Sequence, residues 1–285
     1  MDYIGIVGFG YVGYAVALLF ADHFQVRIYD PFVKEDDKRL LHKNISLVTD
    51  KADIDGCDMV VVCVPTPMKE TNEVDLSIIK ETIDWLGSPL ILIKSTVPPT
   101  TTKKLVEKTG KKIAFSPEFI GEGKYVVQWW KDRGYPHPTD MKYHDFQIFG
   151  GDRKVTVDVL QFFKKVLGPG VQYIQTDSVT AEMVKYMENS WGATKVIFCN
   201  EFARMAETFG VDYDELRELF LLDGRTERMH TAVFKDDRGF GGKCFPKDVN
   251  GIVKASEKAG FEPKLLKSVL RVNNEIRKSN GQKEV

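Results

Sequence analysis

The stretch Tyr3-Ile4-Gly5-Ile6-Val7-Gly8-Phe9-Gly10-Tyr11-Val12-Gly13 decides the fold. A short apolar run gives way to closely spaced glycines, and apolar residues then recur with helical spacing from Val12 to Phe20. That order reads as strand, glycine turn, helix. Gly8 permits the tight turn, Gly10 lets a pyrophosphate approach the backbone, and Gly13 lets the helix pack on the strand. The helix N-terminus then points at the phosphates, with Phe9, Tyr11 and Val12 completing the candidate cofactor loop. A second strand, Gln25 to Tyr29, ends in Asp30, about 20 residues past the first glycines, where an acidic side chain binds the adenosine ribose hydroxyls. A carboxylate there repels a ribose phosphate, so the predicted cofactor is NAD rather than NADP.

Strands of the same kind follow. Asp58 to Val64 is a continuous β-branched run, as expected of a strand buried on both faces, and Pro65-Thr66-Pro67 stops it. Leu90 to Ile93 exits into Lys94-Ser95-Thr96-Val97-Pro98-Pro99, and Ile113-Ala114-Phe115 exits into Ser116-Pro117-Glu118-Phe119-Ile120-Gly121-Glu122-Gly123. Ligands bind outside the C-terminal strand ends of open α/β sheets, so Thr66, Thr96, Glu118 and Glu122 are offered to one crevice. Thr66 reads equally as an ordinary strand-end turn. Phe146 to Phe149, a helix from Asp152 to Val166, and Val171 to Gln175 complete the predicted sheet. The connection Lys124 to Asp145 is long and carries Trp129, Trp130, Tyr135 and Tyr143, which suit either stacking on a base or sugar or covering a subunit contact.

From Thr176 the pattern turns helical. The spacing predicts one helix from Val179 to Phe209, of a length that joins domains or forms a dimer seam. Lys185 and Asn189 stand four apart on its surface, so an ammonium and an amide can meet one substrate oxygen, although a solvated face explains the pair as well. Helices are predicted at Asp212 to Leu222, Val249 to Ala259 and Pro263 to Lys278. Between the first two lies Gly239-Phe240-Gly241-Gly242-Lys243-Cys244-Phe245-Pro246-Lys247-Asp248. This reads as a loop whose glycines free the backbone for close approach to a ligand. A thiolate there is a nucleophile favoured by the flanking Lys243 and Lys247, and the alternative is a small buried hydrophobe. The predicted division is therefore a dinucleotide-binding domain over 1–175, an α/β doubly wound sheet, and an all-helical domain over 176–285 that carries the cysteine.

The chain has 285 residues, 43% of them hydrophobic, and a formal net charge of -1, which gives no basic footprint for nucleic acid. No apolar run reaches the roughly 20 residues that span a bilayer, and no leader segment precedes the first strand, so a cytoplasmic protein is expected. Cys57, Cys63, Cys199 and Cys244 are scattered, and His23, His42, His137, His144 and His230 have no ligand spacing, so neither disulfides nor a metal are expected.

Taken in order, Gly8 to Gly13, Val64-Pro65-Thr66-Pro67, Ser95-Thr96-Val97-Pro98, Ser116-Pro117-Glu118-Phe119 with Glu122-Gly123, Lys185 with Asn189, Asn200-Glu201, and Gly239 to Asp248 resemble the UDP-glucose and GDP-mannose dehydrogenase family. The resemblance implies an NAD enzyme that oxidises the primary alcohol of a nucleotide sugar twice, through an aldehyde, to a carboxylate, while the length of the helix 178–209 predicts a homodimer formed through it. Carried over by position, it makes Cys244 the nucleophile and Lys185 with Asn189 the oxyanion stabilisers. Asp248 and Thr96 position a water, Glu122 assists thioester hydrolysis, and Lys247 and Glu118 lie near the cofactor. Family members run past this length into a further Rossmann-like domain that grips the nucleotide, so a short form is expected. Lys243 stands where serine is common, and Asp236-Asp237-Arg238 replaces the usual proline and glycine. Two other readings stay open: a single-oxidation dehydrogenase of the 3-hydroxyacid or 6-phosphogluconate type, which needs no thiol, and a non-catalytic binding or oligomerisation protein.

Overall fold

The computed structural model describes residues 2–120 and 141–285, which form two compact units: Met1–Pro67 with Asp75–Lys185, and Met68–Val74 with Tyr186–Val285. The expected change of pattern at Thr176 marks the end of the last strand. The units divide later, inside the long helix, between Lys185 and Tyr186.

The first unit holds β1 (Tyr3–Val7), α1 (Tyr11–Ala21), β2 (Gln25–Tyr29), β3 (Ile45–Leu47), α2 (Lys51–Asp55), β4 (Met59–Val62), α3 (Ser77–Trp85), β5 (Ile91–Ile93), α4 (Thr101–Thr109), β6 (Ile113–Phe115), β7 (Phe146–Gly150), α5 (Arg153–Leu167) and β8 (Gln172–Thr176). The sheet runs β3-β2-β1-β4-β5-β6-β7-β8. Pairing is parallel from β3 to β6; β7 then meets β6 antiparallel and pairs β8 in parallel. This is the doubly wound sheet that the glycine turn implies, with β1 paired to β4 inside it. β3 was not expected.

Period-two alternation explains why β4 reads as one unbroken apolar run. Met59 and Val61 enter one core with Phe20 and Phe163, while Val60 and Val62 enter the opposite core with Ile79, Ile83 and Leu105. Each such side chain contributes about 1.5–3 kcal/mol through burial, so the strand's register is strongly fixed.

The second unit takes the rest of α6 (Ser178–Thr208), then α7 (Tyr213–Phe220), α8 (Cys244–Lys258) and α9 (Lys264–Ser279). Its core joins Ala193 and Ile197 of α6, Phe240, Val249 of α8, and Val269 and Ile276 of α9. Two glycines bring the helices close. A Cβ at Gly192 would sit 2.7 Å from the Phe245 ring, and one at Gly251 would meet Val74 at 2.8 Å and the buried Tyr186 ring at 3.6 Å. The Met68–Val74 hairpin thus packs on α8, where Glu73 also pairs with Lys258 at 2.8 Å.

One correction concerns the cysteine. Cys244 opens α8 instead of lying in a loop ahead of a helix at Val249. Pro246 does not prevent this, because a proline in the first turn removes an N–H that has no intrahelical partner. Among the described residues no helix is long and apolar enough to cross a membrane.

Candidate functional site

In the first unit the three glycines of the loop do different work. Gly8 has φ +91°, and a Cβ there would lie 2.7 Å from the Cys63 carbonyl oxygen at the end of β4. At Gly13 a Cβ would strike the Gly8 carbonyl oxygen at 2.0 Å, which is how α1 reaches the strand. Beside Gly10 there is open space, with nothing within 4 Å of a Cβ. The two outer glycines serve the fold, and the middle one leaves a cradle at the start of α1 that a side chain would fill.

Asp30 closes that cradle. Its carboxylate accepts the Phe9 N–H at 2.7 Å and the Phe32 N–H at 2.9 Å, which ties the end of β2 to the loop. Arg39, not singled out from sequence, donates to the Phe9 carbonyl at 2.6 Å, lies 4.7 Å over the Phe9 ring and pairs with Asp37. The cradle and the carboxylate fit a dinucleotide whose pyrophosphate meets the helix N-terminus and whose ribose meets Asp30.

At the next strand ends, the buried Thr66 hydroxyl donates to the Thr96 carbonyl at 2.9 Å, so these two predicted residues are brought together. Glu118 is committed elsewhere. Its carboxylate lies 2.9 Å from the Lys94 ammonium and accepts the Phe119 and Ile120 N–H groups at 2.9 and 3.2 Å. Burial works to raise this carboxyl, but Lys94, His144 and the Phe119 N–H together hold it below the usual carboxylate range. Lys94 was not singled out from sequence; the sign it carried is a charge directly extending a doubly buried strand. The buried Lys185 ammonium sits 5.4 Å over the Phe119 ring.

Glu182, one turn before Lys185, accepts the Thr100 N–H at 2.7 Å and the Thr102 N–H at 2.8 Å at the N-terminus of α4. Thr100 holds φ +78°, uncommon for a β-branched residue, and this carboxylate fastens it. Burial pushes the Glu182 carboxyl up to about 7 from 4.5, against the Thr102 and Thr100 hydrogen bonds. A carboxyl raised on folding stabilises the chain fully below its unfolded value, and that stability is lost as pH rises through the folded one. The first unit should therefore lose up to about 3 kcal/mol between pH 4.5 and 7 from this group. Urea unfolding across that range should show the loss in the parent and a flatter profile in E182Q; an unchanged slope in E182Q would reject the assignment.

In the second unit, Asn189 of α6 donates to the Asp248 carboxylate at 2.5 Å, and the Lys247 ammonium reaches its other oxygen at 2.5 Å. Asp248 is fully buried, and Asn189 nearly so. The half-buried Cys244 begins the helix that carries Lys247 and Asp248. Phe245, seated on Gly192 and edge-on to His230 with ring centroids 5.2 Å apart, sets that helix start against α6. Burial pushes the Cys57 thiol up to about 11, Cys63 up to about 12, and Cys199 upward.

The loop glycines before Cys244 were expected to open the backbone to a ligand. Gly239 and Gly241 instead make room for α9: Cβ atoms there would lie 2.5 Å from Asn273 Oδ1 and 2.9 Å from Arg277 Nη1. Only Gly242, φ +76°, has open space. Glu122, Trp129, Trp130 and Tyr135 lie outside the described residues. No group of His, Cys, Asp and Glu suited to a metal occurs among the described residues.

Two family models match the sequence, described as the NAD binding domain (residues 23–133) and the central domain (residues 179–275) of the UDP-glucose/GDP-mannose dehydrogenase family. The UDP-glucose 6-dehydrogenase of Rickettsia bellii is 31% identical over 96% of this chain, and the chain spans 65% of that relative's length; for the enzyme of Rickettsia felis the share is 63%. Among solved structures, a UDP-glucose dehydrogenase from Pyrobaculum islandicum superposes with a TM-score of 0.80 at 27% identity, covering 98% of this chain and 69% of that one. A UDP-D-ManNAc dehydrogenase from Pyrococcus horikoshii gives 0.77 at 25% identity, with 97% and 69% covered.

Proposed function

The chain belongs to the UDP-glucose/GDP-mannose dehydrogenase family, and from that premise we propose that it oxidises the primary alcohol of a nucleotide sugar, UDP-glucose foremost, to the carboxylate in two steps. The observation that carries this reading is the cluster of the second unit, in which Asn189 of α6 and Lys247 each bond the carboxylate of Asp248 on α8, the helix that Cys244 begins. NAD, when bound, supplies the hydride acceptor for both oxidations.

Asp248 takes the alcohol proton in the first oxidation, directly or through a water held with Thr96. The Cys244 thiolate then adds to the aldehyde carbon; a C–S bond forms as the C=O π bond opens, and its electron pair passes to the carbonyl oxygen. Lys185 and the second N–H of the Asn189 amide stabilise the charge that develops on that oxygen. The second oxidation leaves a thioester, and water, assisted by Glu122, cleaves its C–S bond to give the carboxylate and restore the thiol. Gly8 to Gly13, Asp30, Thr66 and Lys247 hold the dinucleotide in the same proposal.

A homodimer and a cytoplasmic location complete the reading. Met187, Trp191, Phe198, Phe202 and Met205 are exposed and fall on one stripe of α6, an apolar face of the kind that subunits cover. The four free thiols suit a reducing compartment.

A panel of nucleotide sugars offered with NAD tests the proposal, run on protein whose light-scattering mass is twice 32.4 kDa. Two NADH per sugar consumed are expected. One NADH would make the chain a single-oxidation dehydrogenase, none would make it a binding protein, and the mass of one chain would remove the dimer.

A further inference from the structure

Three successive backbone N–H groups just before the cysteine are each received by a side-chain amide oxygen from a different segment. The Arg238 N–H donates to Gln282 at 3.0 Å, the Gly239 N–H to Asn200 at 3.1 Å and the Phe240 N–H to Asn273 at 2.7 Å. Asn273, fully buried on α9, also donates from Nδ2 to the Phe240 carbonyl at 3.0 Å. One amide thus pairs with both backbone groups of one residue, as a neighbouring strand would. Asn200, buried on α6, anchors itself by donating to the Val196 carbonyl at 2.8 Å.

The residue types follow from this geometry. The Asn273 amide carries on one planar group the acceptor and the donor that Phe240 requires, and an aliphatic side chain would leave both backbone groups without these partners. Gly239 is glycine because the backbone presses against Asn273, with φ +71°. The Phe240 ring is buried in the second unit's core and lies 6.0 Å from the Phe245 ring. The chain is therefore fixed at Phe240 and again at Phe245, and Cys244 lies between the two fixed points.

We propose that Asn273 and Asn200 are positioning residues for the nucleophile: they grip the backbone at Gly239 and Phe240 and so set the direction in which Cys244 enters α8. The proposal rests on the reading of Cys244 as the nucleophile. Neither asparagine touches the reacting atoms; both act through the backbone that leads to the sulfur.

The test follows N273A and N200A by steady-state kinetics and by the pH profile of Cys244 carbamoylmethylation with iodoacetamide, read on the Cys244 peptide by mass spectrometry. Expected are a kcat at least tenfold lower, a KM for NAD within twofold of the parent, and an altered Cys244 profile. A parental profile in a folded variant overturns the proposal whether or not kcat falls, because lost stability alone does not change the surroundings of one thiol. If N273A does not fold, N200A, which removes a single hydrogen bond to the loop, decides by the same criteria. C244A tests the underlying reading separately: carboxylate formed at the parental rate would refute Cys244 as nucleophile, while the alkylation profiles would still report whether the asparagines position the thiol.

Discussion

C244A is expected to lose carboxylate formation by about 10³-fold or more, the scale on which removing a covalent nucleophile acts. In the proposed scheme, without the sulfur the aldehyde carbon has no partner that holds it through the second oxidation, and a hydrated aldehyde must form and orient without help. The first oxidation needs no thiol, so C244A should still form NADH in a slow phase that ends near one equivalent per sugar. The fold should survive, because Cys244 is half-buried and its helix start is held by Phe245 on Gly192 and by Asp248 on Asn189. Product analysis by mass spectrometry alongside absorbance of the reduced cofactor reads both quantities. Carboxylate at the parental rate would end the covalent scheme and leave a cofactor-binding dehydrogenase without a thiol mechanism.

The second large effect separates two glycines three residues apart in the same loop. G13A should fail to accumulate as a folded protein: its methyl would lie 2.0 Å from the Gly8 carbonyl oxygen, a backbone atom that cannot rotate away. Overpacking of this kind costs about 3 kcal/mol or more, a large fraction of a domain's stability. G10A should fold like the parent, since its methyl enters open space and the residue's φ of -72° suits alanine. It should still bind NAD about tenfold or more weaker, because that space is where a pyrophosphate approaches the backbone. Thermal unfolding with and without NAD, and titration calorimetry for the cofactor, distinguish the two. Parental NAD affinity in G10A would remove the pyrophosphate from this loop.

What could be read in advance follows from how far each signal reaches along the chain. β1, β4, β5 and β6 are apolar runs cut by glycine or proline, and both signals are local. β3 escaped because Ile45-Ser46-Leu47 is short and lies at the sheet edge, where one neighbouring strand suffices and no long apolar run is needed. The start of α8 escaped because Gly242 and Pro246 read as breakers on either side of Cys244, whereas a proline inside the first turn is compatible with a helix. Asn189 with Asp248 was legible as two members of one motif set, but their direct bond was not. Asn200 stood in the Asn200-Glu201 match and Asn273 was not singled out, and neither showed what it binds: a buried amide and a solvated one look alike in a sequence, and their partners stand 39 and 33 residues away. Glu118 was placed by its motif near the cofactor, yet its carboxylate is occupied by Lys94 and two backbone N–H groups.

The Lys94–Glu118 pair also constrains how these positions drift over generations. Both side chains are withdrawn from water, so a chain holding one without the other carries a stranded charge in an apolar interior, a penalty of about 3–5 kcal/mol that most lineages would not survive. The two sites are therefore expected to change as one unit, with both charges kept or both replaced, and the route between those states needs stability gained elsewhere to tolerate the half-altered chain.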